Sequence, residues 1–355
     1  MSAFRFGLLE LVRVIMKTQE DDGFGALKKF ARQSSARVFF LGKLYIKESE
    51  MTAKRQSAPK YKQPTKAIIA AAGFGTRFLP QTKATAKEMM PILDKPAIQY
   101  IVEDLVDSGI KDIVIVITQA KKSIADHFTR DELLEKELVR RGKESLLPTI
   151  GGLHSMANFT FIFQDGLPRG NAEPVLLARH LLAEDEPFLV VSADDVFRTT
   201  GKQRPRIQQL IDAYNKTGKT TITLMKVGKK NADKYGMAKP GKIIDDMVMQ
   251  VDEVIEKPGV ENAPSEYGSL LGYLFMPEIL PIIMEEKIDK SGEITLADSI
   301  GILAKRGGVY GAVVDATYHD TGNQLKYIQA IIDYALDDER FGDDLRTYLN
   351  GRLKK

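Results

Sequence analysis

The sequence contains no cysteine, which removes disulfides, thiolate metal sites and cysteine nucleophiles together. Histidine is scarce, with 4 in 355 residues, so a multi-histidine zinc site is not expected. No apolar run approaches the roughly 18–20 residues that a membrane-spanning helix needs. A soluble, cytoplasmic protein without a membrane span is therefore expected. Low-complexity sequence and internal repeats are also missing from the body of the chain. The length is ample for a sizeable core. With 43% apolar and 28% charged residues, the composition is that of a folded globular protein, not of collagen, a coiled coil or a disordered chain.

Excess charge is nearly lacking overall, at +3, but it is unevenly placed. Residues 1–66 carry 14 Lys/Arg against 6 Asp/Glu, and the remainder carries 37 against 42. The basic character thus belongs to an N-terminal arm. A nucleic-acid-binding body would need basic residues interleaved with aromatics on its folded face, so no nucleic-acid partner is expected. The arm, taken as residues 1–62, holds a helical apolar pattern at Phe4, Leu8, Leu11, Val12 and Ile15. It could serve a partner contact or a membrane surface, or be dispensable, with Met51 the working start. Residues 63–340 form the expected catalytic domain, and 341–355 a C-terminal helix or tail.

In the body, short apolar runs alternate with helical stripes. Lys66–Ala72, Asp112–Ile117, Phe159–Phe163, Phe188–Val191 and Thr220–Lys226 read as strands. Ile98, Ile101, Val102, Leu105 and Val106 mark a helix, as do Val175–Leu182 and Ile207–Tyr214. Residues Asp131–Leu147 read as a charged helical insertion. Such alternation predicts an α/β fold, a Rossmann-like, mainly parallel (mixed) sheet flanked by helices. Ligands of such sheets sit beyond the carboxyl ends of the strands.

The first strand ends in Gly73-Phe-Gly-Thr-Arg-Phe-Leu-Pro80, followed by Gln81-Thr-Lys83. Two glycines allow a tight turn with backbone N–H groups close to phosphate oxygens. The spacing is neither GxGxxG nor a Walker A loop, which disfavours an oxidoreductase. Arg77 and Lys87 are placed to meet one polyphosphate, the former by its planar fork and the latter as a point charge. Asp194 and Asp195 follow a buried strand, where carboxylates can hold Mg²⁺ or cap a helix.

The run Ala71-Ala-Gly-Phe-Gly-Thr-Arg-Phe-Leu-Pro-Gln-Thr-Lys83, with Lys87-Glu-Met-Met-Pro91 and Asp94-Lys-Pro-Ala-Ile-Gln-Tyr100, resembles the signature of a known family. It is similar to bacterial UTP–glucose-1-phosphate uridylyltransferases (UDP-glucose pyrophosphorylases), which are sugar-phosphate nucleotidylyltransferases. The likeness extends to about Leu336. It implies the nucleotidyltransferase (glycosyltransferase-A-like) fold and Mg²⁺-assisted transfer of a uridylyl group from UTP to glucose 1-phosphate. It also implies a homo-oligomer, a dimer or tetramer. By this resemblance Arg77 and Lys87 are catalytic, and Ala72, Gly73, Gly75, Thr76, Gln164 and Gly170 bind the nucleotide. Gly236, Glu256 and Lys257 bind the sugar phosphate, and Asp194 and Asp320 hold the metal. One departure stands out: where the family has G-L-G-H-A-V, this chain has Gly170-Asn-Ala-Glu-Pro-Val175, which leaves base selectivity open. A nucleotidylyltransferase for dTTP or another sugar phosphate, or a non-catalytic nucleotide-sugar-binding protein, are the alternatives. The sensor is disfavoured because Lys87 and the acidic residues are all present.

Overall fold

A computed structural model of the chain describes residues 59–285 and 293–353. The apolar helix pattern of the arm and Met51 lie outside the described residues. A compact unit begins at Tyr61.

In chain order the elements are β1 (Lys66–Ala70), β2 (Pro91–Ile92), β3 (Lys95–Pro96), α1 (Ala97–Asp107), β4 (Asp112–Ile117), α2 (Lys122–His127), α3 (Glu132–Arg140) and α4 (Leu147–Gly151). Next come β5 (Asn158–Phe163), α5 (Glu173–Ala178), β6 (Phe188–Ser192), β7 (Asp195–Arg198), α6 (Arg206–Thr217), β8 (Thr220–Lys226), β9 (Gly236–Asp245), β10 (Val248–Ile255) and β11 (Tyr267–Phe275). The chain continues with α7 (Ile279–Glu285), α8 (Leu296–Lys305), β12 (Val309–Val313), β13 (Thr317–Asp320), α9 (Gln324–Asp337) and α10 (Gly342–Leu353).

Nine strands form one sheet in the order β5-β4-β1-β6-β11-β8-β12-β10-β9. The β5-β4-β1-β6 half is parallel, as the β-branched runs predict for strands covered on both faces. Side-chain alternation divides these strands between two cores. Ala67 and Ile69, with Ile113, Ile115 and Ile117, pack against the stripes of α1 and α6. Ile68, Val114, Val116 and Val190 face the other way, against α5, α7 and α8. Each buried Ile or Leu contributes about 1.5–3 kcal/mol, so both faces must be covered for the sheet to persist.

The expected mixed sheet flanked by helices is the one observed. Its far half departs from simple alternation. After β8 the chain runs through β9, β10 and β11 with no helix between them, and β10 pairs antiparallel with β9 and β12. Local periodicity does not separate such antiparallel strands from loop. The expected charged insertion is α3, which carries ion pairs on exposed side chains and has no buried residue. The C-terminal segment forms α10.

Candidate active site

β1 and β6 run parallel and in register, Lys66 beside Phe188 and Ala70 beside Ser192. The chain therefore leaves both strands at the same sheet edge, where an open α/β sheet binds its ligands. From β1 comes the glycine loop. Gly75 has φ +65°, a left-handed conformation that glycine adopts without steric penalty, and it opens the helical turn Thr76–Phe78. A Cβ at Gly75 would stand 3.3 Å from the Lys87 side chain. Thr82 Oγ1 donates to the Gly75 carbonyl at 2.7 Å and closes the loop. Ala72 is buried, and a Cβ at Gly73 would meet nothing within 4 Å, which leaves room for a ligand against the backbone. A cavity of about 350 Å³ lies beside the loop, bordered by Thr76, Lys83, Lys87, Thr118 and Lys121.

From β6 comes the acidic side. Asp194 directly precedes β7, and β7 pairs with β13 so that Asp195 lies opposite Asp320. The N–H and Oγ1 of Thr321 both donate to the Asp194 carbonyl, at 2.9 and 2.8 Å. Gly322 separates the two outer carboxylates: a Cβ there would stand 2.5 Å from Asp194 Oδ2 and 3.0 Å from Asp320 Oδ1. Only glycine leaves both in place. The pair begins a strand and caps no helix.

The two basic residues sit on this acidic pair. Lys87 Nζ is ion-paired with Asp194, which also accepts from Ser192 Oγ. Arg77 lies 3.7 Å from Asp320 Oδ2. Burial alone would lower the pKa of Lys87, but the charges of Asp194 and Glu88 outweigh it and the ammonium is favoured. Burial alone would raise Asp194, yet Lys87 holds it below the usual carboxylate range. Asp320 is pushed up by burial and then by the like charge of Asp194. Asp195 is pushed up to about 7 by burial and by Asp194, against the hydrogen bond it accepts from Tyr318 Oη at 2.7 Å. Three carboxylates this close demand positive charge, and two cations stand at their open side.

The remaining predicted residues form two flanks. Gln164 follows β5, and its N–H donates to the Ile117 carbonyl at 2.7 Å, beside Thr118 of the cavity. Gly170, at φ +98°, packs so closely that a Cβ would stand 2.3 Å from the Ile294 carbonyl. On the other side Gly236 lies under Glu256, whose Oε2 would be 3.0 Å from a Cβ. Glu256 pairs with Lys257 at 3.2 Å, and Lys257 holds a left-handed φ of +42°. Such strain in a non-glycine residue costs about 1–3 kcal/mol and gathers at functional sites. Tyr273 is pushed up to about 12 by burial, against its hydrogen bond with Ser269 and aided by the charge of Glu256. No direct hydrogen bond or ion pair joins either flank to Arg77 or Lys87 among the described residues.

A family profile described as nucleotidyl transferase matches residues 66–336. The chain belongs to the nucleotidyl transferase family. It is 40% identical over 286 residues to a UTP–glucose-1-phosphate uridylyltransferase of Streptococcus pyogenes, covering 80% of this chain and 93% of that one. A Bacillus subtilis enzyme of the same name is 37% identical over 294 residues, covering 83% and 99%. The solved structure of a UDP-glucose pyrophosphorylase complexed with UDP-glucose superposes with a TM-score of 0.69 at 30% identity, covering 78% and 100%. The expected family and fold are thus met.

Lys121, Glu88 and Tyr318 border the candidate site without any signal in the sequence that marks them. Lys121 is buried, and its Nζ donates to both carboxylate oxygens of Glu88 at 2.7 and 2.9 Å and to the Ala71 carbonyl at 2.8 Å. It ties the start of the glycine loop to the turn that carries Lys87. Burial pushes Glu88 up and Lys121 down, each opposed by the other's charge. Nothing in Gln119-Ala-Lys-Lys122 separates Lys121 from its exposed neighbour Lys122. Tyr318 carries no such signal because its contact with Asp195 depends on the β7–β13 pairing. His319, buried and 3.4 Å from Asp333, stands behind the site.

Proposed function

We propose that this enzyme catalyses UTP + α-D-glucose 1-phosphate ⇌ UDP-glucose + diphosphate. The observation that carries the reading is the meeting of Arg77 and Lys87 with Asp194 and Asp320 beyond the carboxyl ends of β1 and β6. The substrates follow from what the relatives are named for and from the UDP-glucose held by the solved one.

In this reading a phosphate oxygen of glucose 1-phosphate attacks the α-phosphorus of UTP in line. The bond from that phosphorus to the bridging oxygen breaks, and diphosphate leaves with the electron pair. A phosphate monoester dianion is already a competent nucleophile, so no general base or covalent intermediate is required. Position and charge neutralisation then account for the rate. Arg77 and Lys87 take the triphosphate oxygens, helped by the N–H groups of the Ala72–Thr76 loop. Gln164 and Gly170 hold the base. Gly236 and Glu256 hold the sugar hydroxyls, and Lys257 neutralises the sugar phosphate.

Asp194 and Asp320 fit a divalent cation, because their carboxylate oxygens face one another across Gly322 and the like charge of Asp194 adds to burial in pushing Asp320 up. Such hard oxygen donors suit Mg²⁺, which when bound would neutralise charge on the phosphates. The cytoplasmic setting and a homo-oligomer belong to the same reading, and sedimentation tests the latter. No helix among the described residues is long and apolar enough to cross a membrane.

The test is diphosphate release by the purified chain over a grid of nucleoside triphosphates and sugar 1-phosphates. UTP with glucose 1-phosphate should give the largest kcat/KM. Preference for dTTP or another sugar phosphate would replace the substrate assignment, and no turnover with any pair would leave a binding protein.

A further inference from the structure

Gln164 is buried at the end of β5, and its Nε2 donates to Glu173 Oε2 at 2.8 Å. The same carboxylate accepts from the backbone N–H of Arg169 at 2.7 Å and from Arg169 Nε at 3.1 Å. Glu173 is itself buried and opens α5. The segment before it cannot swing away. Gly170 is pressed against the Ile294 carbonyl, the Ala172 N–H donates to that carbonyl at 3.2 Å, and Asn171 Oδ1 accepts from the Leu296 N–H at 2.7 Å.

A side-chain amide can ordinarily turn over, since its oxygen and nitrogen differ little in size. A carboxylate offers only acceptors, so it faces the nitrogen and rejects the oxygen. Gln164 Oε1 has no hydrogen-bond partner among the described residues. We infer that Glu173 is a positioning residue that sets the choice of nucleobase by locking the amide of Gln164 in one orientation. The locked amide presents Oε1 as an acceptor and its second Nε2–H as a donor. That pair complements a ring N–H beside a keto oxygen, as uracil and thymine carry. Cytosine offers the reverse, a ring acceptor beside an amino donor, and meets two mismatches. Glu173 stands where the resembled family has His, so this lock is built from the chain's own departure.

The inference rests on the UTP reading and on Gln164 facing the base. The experiment compares kcat/KM for UTP and CTP with glucose 1-phosphate, in the unaltered chain and in Glu173→Gln. A site built around one hydrogen-bond pattern rejects the mismatched partner strongly, so the unaltered chain should favour UTP by about 10²-fold or more. In Glu173→Gln the neighbouring amide can donate as well as accept, the Gln164 amide can turn over, and the ratio should fall by at least about tenfold. Equal use of CTP and UTP by the unaltered chain refutes the lock even if the variant does not fold. A ratio kept within about twofold in a folded variant also refutes it. Failure of the unaltered chain to form UDP-glucose at all removes instead the functional reading beneath it.

Discussion

Replacing Lys121 by Met would strand the Glu88 carboxylate beneath the glycine loop. The two side chains are 7% and 1% exposed, and Glu88 has its bidentate partner in Lys121 alone among the described residues. Removing one member of such a pair leaves a buried charge uncompensated, which costs about 3–5 kcal/mol. For a unit of this size each kcal/mol lowers Tm by about 2–4 °C, so Lys121→Met should melt roughly 6–20 °C lower. Glu88→Leu is the converse deletion and should also destabilise. The double variant replaces the pair by apolar side chains of similar volume, and a buried pair exchanged in that way is often neutral or better. It should therefore be more stable than Lys121→Met. Urea and thermal unfolding of the four proteins form a double-mutant cycle, with a coupling of about 2–3 kcal/mol expected. Additive losses, or single variants within about 1 kcal/mol of the parent, would show that the pair does not clamp the loop.

Arg77→Ala and Lys87→Ala should each lower kcat by about 10²-fold or more, since each removes a cation aimed at developing charge. Tm should hold for the exposed Arg77 and fall for Lys87, whose loss leaves the mostly buried Asp194 unpaired. Near-normal turnover in either would remove that residue from the mechanism. Gly322→Ala should cost roughly 10²-fold in turnover by pushing Asp194 and Asp320 apart, the displacement being about an ångström at a reacting centre. EDTA should abolish diphosphate release and Mg²⁺ restore it, with Asp194→Asn raising the Mg²⁺ concentration needed; full activity in EDTA would refute both assigned ligands. A chain starting at Met51 should keep its turnover, because every assigned site residue lies at or beyond Ala72, and an assay of that shortened protein settles the arm's relevance.

What could be read from the sequence was local. The alternation of Ile68 and Ile69 between two faces, the stripe of α1 and the glycine turn at Gly75 each depend on residues a few positions apart. Those patterns announce a strand, a helix and a phosphate loop wherever they fold. Longer matched runs around Arg77 and Lys87 pointed to the family for the same reason.

The tertiary structure decided what depends on distant partners. That Asp194 and Asp320 share one small space follows from β7 pairing with β13 in a single register, and a one-residue slip would present the opposite faces. The register also separates Asp194, which meets Lys87, from Asp195, which meets Tyr318. The lysine that is buried is Lys121 and not Lys122, because only one of two adjacent positions faces Glu88. That β9 pairs antiparallel with both β10 and β11 likewise becomes visible only in the tertiary structure. Sequence composition and period specify which surfaces must be buried. Which charged groups then meet, and at what distance, is settled by register and packing between segments far apart in the chain.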